Sequence, residues 1–178
     1  MGRTARPALA QEQEQQAPRQ VSDRHAGVQR LLTSGGIDTE ASFTPDGKAL
    51  LFSSDRGGSP QIYRLTIATG AVERMTFEGG HNVSPRATPD GKGFVFVRRD
   101  GGRFMVAIQD YASRQVQTLT PGPLDESPSI APNSKLIIYA AQQGGRGILA
   151  AVSSDGRVKQ RLVAPFGRRL SQWTVATS

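Results

Sequence analysis

The stretch SFTPDGKALLFSSDRGGSPQIYRL (residues 42–65) decides the fold, because the chain repeats it as RATPDGKGFVFVRRDGGRFMVAI (86–108) and as SIAPNSKLIIYAAQQGGRGILAA (129–151). Asp46 and Asp90 stand 44 positions apart, and Asp90 and Asn133 stand 43 apart. The flanks keep the same phase. Arg30-Leu31 aligns with Arg74-Met75, Thr118-Leu119 and Arg161-Leu162, and Gly35-Gly36 aligns with Gly79-Gly80. A period of roughly 40–45 residues is that of β-propeller blades.

Each unit reads as four short strands. In the first copy these are Ala41–Phe43, Ala49–Ser53, Gln61–Thr66 and Val72–Thr76. The connections are rich in Pro, Asp and Gly: proline presets φ, aspartate caps its own backbone, and glycine accepts φ > 0. Short strands at even spacing predict an all-β chain, a partial β-propeller of about three four-stranded blades around residues 41–76, 85–120 and 128–163. Residues 28–163 carry the pattern. Residues 1–27, with QEQEQQAPRQ, predict a disordered tail, and residues 164–178 predict an irregular one.

Charge excludes one class of partner. The formal net charge is +7, but residues 31–156 hold twelve Lys/Arg and twelve Asp/Glu, so the excess sits at the two ends. A nucleic-acid footprint needs basic residues clustered on one face, and none is predicted here. There is no cysteine, hence no disulfide framework and no thiolate metal site. The DGK and GG stretches lack the lysine and serine spacing of a phosphate-binding loop and read as turns. PALAQ at residues 7–11 has the small-x-small form of a signal cleavage site, yet no apolar core precedes it, so no signal peptide is expected.

The strings GGIDTEASFTPDGKALLFSSDRGGSPQIYR (35–64), NVSPRATPDGKGFVFVRRDGGRFMVAIQD (82–110) and LDESPSIAPNSKLIIYAAQQGGRGILAAVSSDGRVKQRL (124–162) closely resemble the C-terminal propeller of the TolB family. The resemblance implies a TolB-like propeller, six-bladed when complete, and a non-enzymatic, periplasmic, protein-binding role in the Tol-Pal system. In that family the propeller docks the lipoprotein Pal, and the N-terminal segment contacts TolA. The system supports outer-membrane integrity and cell division, and colicins exploit it for import. The family's signal peptide, N-terminal α/β domain and first blades have no counterpart here, so a truncated gene product is expected, without the TolA contact. The C-terminal tail also departs from the family's EPAW-like ending.

Loops joining one blade to the next are the expected partner face, since binding residues concentrate on loops of rigid scaffolds. These are GGIDTEA (35–41), GGHNVSP (79–85) and GPLDESP (122–128). They supply the candidate partner-binding residues Asp38, Thr39, Glu40, His81, Asn82, Asp125 and Glu126. Thr39-Glu40 matches the family's NTEP loop. Turn capping is the competing role for all seven. His81 has no paired ligand, so neither a metal nor a cofactor is expected.

Two other functions compete. A propeller-containing peptidase needs a GxSxG elbow with acid and histidine following. The sequence has no such string, and its histidines are only His25 and His81. A remnant of such an enzyme would have no activity of its own. A generic scaffold propeller fragment is the other alternative. Three blades leave two blade faces without neighbours, so self-association is expected.

Overall fold

The computed structural model describes residues 34–162, which contain twelve strands and no helix. The first sheet holds β1 (Asp38–Phe43), β2 (Ala49–Ser54), β3 (Gln61–Thr66) and β4 (Val72–Arg74). The second holds β5 (Asn82–Ala87), β6 (Gly93–Asp100), β7 (Arg103–Asp110) and β8 (Val116–Thr118). The third holds β9 (Glu126–Ile130), β10 (Leu136–Gln143), β11 (Arg146–Ser153) and β12 (Lys159–Leu162). Each is a four-stranded antiparallel meander in chain order. The all-β, three-blade reading holds. The expected terminal tails lie outside the described residues.

The turns follow from side-chain chemistry. The Thr44 hydroxyl donates to Asp46 Oδ1 at 2.6 Å, and the same carboxylate oxygen accepts from Lys48 N at 3.1 Å. Lys92 N donates likewise to Asp90, and Lys135 N to Asn133, which is why asparagine can stand in the third copy. Gly47 and Gly91 have φ of 67° and 71°, a region that favours glycine.

These turns make stability pH-dependent. The hydroxyls of Thr44, Thr88 and Ser153 hold the carboxyls of Asp46, Asp90 and Asp155 below their ordinary value. A carboxyl depressed in the folded state contributes stability above its unfolded pKa and loses it as pH falls through the folded one. Thermal melts should therefore be level above about pH 5 and decline as pH falls below about pH 4. The Asp46→Asn, Asp90→Asn double variant should show a shallower drop.

Packing occurs between blades, and period-2 alternation assigns the faces. Leu51, Ile62 and Met75 of the first blade meet Phe94, Phe96 and Ala107 of the second. On the opposite face of that second blade, Val95, Val106 and Leu119 meet Ile137, Tyr139, Ala150 and Val152 of the third. The central strand β6 is thus buried on both sides, and Phe94 and Val95 are fully covered. The third blade repeats the pattern at Ile138 and Leu149, the counterparts of Val95 and Val106, but there they are 36% and 56% exposed.

Three boundaries of the first copy differ from the sequence reading, β2 running one residue further, to Ser54. The inner strand begins at Asp38 rather than Ala41, because a bulge between Thr39 and Ser42 lets pairing with β2 continue through it. The outer strand ends at Arg74 rather than Thr76. There the Thr76 hydroxyl, instead of a backbone carbonyl, accepts the bond from Ile62 N at 3.0 Å.

Candidate functional site

Antiparallel meanders send successive turns to opposite ends of each blade. The Asp46, Asp90 and Asn133 turns therefore share one end. The blade-to-blade loops and the β2–β3, β6–β7 and β10–β11 turns share the other. All seven candidate residues lie at this second end, in equivalent places of the three repeats. Asp38, Thr39 and Glu40 belong to β1, Asn82 begins β5 and Glu126 begins β9, so these five are strand residues rather than loop residues. His81 and Asp125 immediately precede their strands.

The bulge positions Glu40, Ser84 and Ser127 all have left-handed φ, at 56°, 56° and 53°. Such a conformation costs a non-glycine residue roughly 1–2 kcal/mol, and at Glu40 the compensation is visible. Its carboxylate accepts from Ser84 N at 2.8 Å, Ser84 Oγ at 2.6 Å and Ser53 Oγ at 2.8 Å. Glu40 thereby clamps the first blade to the second. Desolvation raises its carboxyl pKa, but the bonds from Ser84 and Ser53 outweigh this and hold it below its ordinary value.

Asp38 is similarly occupied. It pairs with Arg56 at 2.7 Å and accepts from Ser34 Oγ at 2.7 Å. The Arg56 guanidinium in turn stands 5.1 Å from the ring centres of both Phe52 and Tyr63. Desolvation again raises the carboxyl and the hydrogen bonds, Arg56 first, bring it below the usual range.

Asn82 and Asp125 are buried, at 1% and 3% exposure. Asn82 Nδ2 donates to Gln61 Oε1 at 2.8 Å and to the Glu78 carbonyl at 2.9 Å, while Thr76 Oγ1 donates to the same Gln61 oxygen at 2.7 Å. Asp125 Oδ2 accepts from Gly122 N at 3.0 Å. These two residues support the face from beneath rather than form its surface. Thr39 and Glu126 are exposed, and neither side chain bonds to a described residue. His81 meets the Phe104 ring edge-on at 6.0 Å, and Arg99 covers that ring at 5.6 Å.

Features absent from the sequence reading complete the surface. Ile37, Phe77 and Leu124 are exposed large apolar residues. Ile37 and Leu124 hold equivalent places in their repeats, a correspondence that the 44- and 43-residue phasing already contains. Arg98 Nε is buried without a hydrogen bond to any described residue. The end thus combines apolar anchors with unpaired polar groups, as protein interfaces do. Among the described residues, no three His, Cys, Asp or Glu side chains gather as metal ligands.

Comparison with known proteins accords with this architecture. The family model for the TolB beta propeller domain matches residues 8–177. The Tol-Pal system protein TolB of Bordetella pertussis is 55% identical over 137 residues, 77% of this chain and 31% of that protein. The crystal structure of TolB from Acinetobacter baumannii superposes with a TM-score of 0.70 at 49% identity, covering 74% of this chain and 33% of that one. Oligogalacturonate lyase from Vibrio parahaemolyticus, at 17% identity and a TM-score of 0.58 over 75% of this chain and 42% of its own, shares the fold alone. The chain spans about a third of the length of these TolB relatives. With three sheets in family phase and the family pattern along nearly all its length, this chain belongs to the TolB β-propeller family.

Proposed function

We propose that the chain acts as a non-enzymatic docking surface of the Tol-Pal system, in the periplasm, and binds a Pal-type peptidoglycan-associated lipoprotein. The observation that carries this reading is the gathering at one end of the two loops that join described blades and the segment that leads into the first, with Ile37, Phe77 and Leu124 exposed among them. Partner-contacting residues in this proposal are Thr39, Glu126 and His81 with those three apolar side chains. Asp38 and Glu40 shape the rim through Arg56 and Ser84, and Asn82 and Asp125 hold it from below. The relatives' name, Tol-Pal system protein TolB, supports the choice of partner.

Calorimetric titration of the full chain with the soluble domain of such a lipoprotein tests the proposal. A double change, Leu124→Asp with Glu126→Lys, should weaken binding by a factor of about 10–100, as loss of an apolar anchor does at an interface. Its melting temperature should stay near that of the unchanged chain, because both residues are exposed. Unchanged affinity would refute the assignment of this end. Glu40→Lys would not test it, since that change breaks the inter-blade clamp itself.

A further inference from the structure

The opposite end of the molecule carries a second recognition feature. A cleft of about 570 Å³ opens there between the first and second blades, rimmed by the turns that hold Pro45 and Pro89. This volume is in the range of small-ligand sites. Met75 lines the cleft together with Arg64 and Tyr111.

Arg64 breaks the repeat. Its counterparts are apolar: Ile108 packs against the core between the second and third blades, and Ala151 is 1% exposed on the third blade. Packing alone therefore asks for an apolar side chain at this position, and the chain places a guanidinium there instead. The hydrogen bond formed by Arg64 is a long one, 3.5 Å to Thr66 Oγ1. Glu73, its cross-strand neighbour, is held at 2.8 Å by Arg114 of the second blade.

Tyr111 is the second anomaly. Its ring packs at 5.7 Å against Phe94, while its hydroxyl is buried without a hydrogen bond to any described residue. A buried polar atom left without a partner is costly, and native proteins rarely keep one unused. Burial pushes the phenol up to about 12, so the group stays protonated and can donate.

The rim carboxylates are differently placed. Asp46 and Asp90 are committed to their own turns, and Asp46 is bonded to Thr44 and Lys48. Among the described donors lining the cleft, Tyr111 has no acceptor and Arg64 has only its long bond to Thr66. We propose that this cleft receives the carboxylate of a peptide glutamate or aspartate side chain, with Arg64 and Tyr111 as its donors and Met75 packed against its aliphatic stem. The acidic rim disfavours dianions such as phosphate, and it favours a basic residue beside the inserted acid.

The test uses the full chain and blocked tripeptides in calorimetric titrations. Acetyl-Lys-Glu-Leu-amide should bind saturably, and the glutamine analogue should bind at least about tenfold more weakly, the scale of a charge-assisted hydrogen bond. Arg64→Ile, which restores the residue type of the repeat, should fold normally and lose about tenfold in affinity. Tyr111→Phe should fold at least as well as the unchanged chain and lose roughly three- to tenfold. Free acetate should bind far more weakly than the peptide. Equal affinity for the glutamine analogue, or unchanged affinity in both folded variants, would overturn the proposal. Equal binding of acetate and peptide would overturn its peptide component. None of these outcomes depends on the lipoprotein titration, which probes the other end of the blades.

Discussion

Replacing Phe94 with alanine will destabilise the chain by about 3–5 kcal/mol, the range for deleting a fully buried aromatic side chain. Phe94 has no exposed surface and lies where the first two blades meet, against Leu51, Ile62, Met75 and Phe96. Its ring centre is 5.4 Å from that of Phe96 and 5.7 Å from that of Tyr111, so truncation removes aromatic packing on two sides. Single domains have total stabilities of about 5–15 kcal/mol, so the loss is a large share of the whole. Urea denaturation measures it. Leu149→Ala supplies the contrast, because Leu149 repeats the place of fully buried Val106 but is half-exposed. That variant should change stability by no more than about 0.5–1 kcal/mol. Equal losses in the two variants would contradict the inter-blade account of the core.

Asn82→Asp will be the second most damaging change, at about 2–3 kcal/mol near neutral pH, although the two side chains are nearly the same size. The Asn82 amide donates to two acceptors, Gln61 Oε1 and the Glu78 carbonyl, in a site with almost no exposed surface. A carboxylate there has no hydrogen to give and faces two oxygens. Leaving a buried group unsatisfied costs roughly 1–3 kcal/mol, more for a charged one. The sign of the pH effect follows. Burial beside acceptors favours the protonated form, so the new carboxyl has a folded pKa above its unfolded one. Its penalty relative to the unchanged chain should shrink as pH is lowered. Paired denaturation curves at pH 7 and pH 4.5 measure this, and a penalty that grew on acidification would refute the hydrogen-bond assignment.

Much of the architecture was legible because a repeat displays the same physical solution three times. The Asp46, Asp90 and Asn133 turns need an oxygen acceptor two residues before a backbone N–H, and each copy supplies one. The buried apolar strand residues Leu51, Val95 and Ile137 are likewise visible in the sequence as short apolar runs after each turn. The bulge was not legible. Glu40, Ser84 and Ser127 share a left-handed backbone but not a single residue type, and none is glycine. Without that bulge, Glu40 reads as a loop acid free for a partner, whereas its carboxylate ties two blades together. Burial split the equivalent residues for a similar reason. Asp38 finds Arg56 at the surface, while Asn82 finds Gln61 in the interior, and single positions in a sequence do not reveal such partners.

The central claim, that the end carrying the blade-to-blade loops is the docking face, is tested most directly by mapping the contact. Isotope-labelled full chain would be titrated with the soluble domain of a Pal-type lipoprotein while backbone amide resonances are followed. The account predicts that the largest shifts fall on residues 37–40, 77–82 and 124–126, with the turns at 44–48, 88–92 and 131–135 unmoved. Shifts confined to those turns, or no shifts at a saturating excess of lipoprotein, would contradict it.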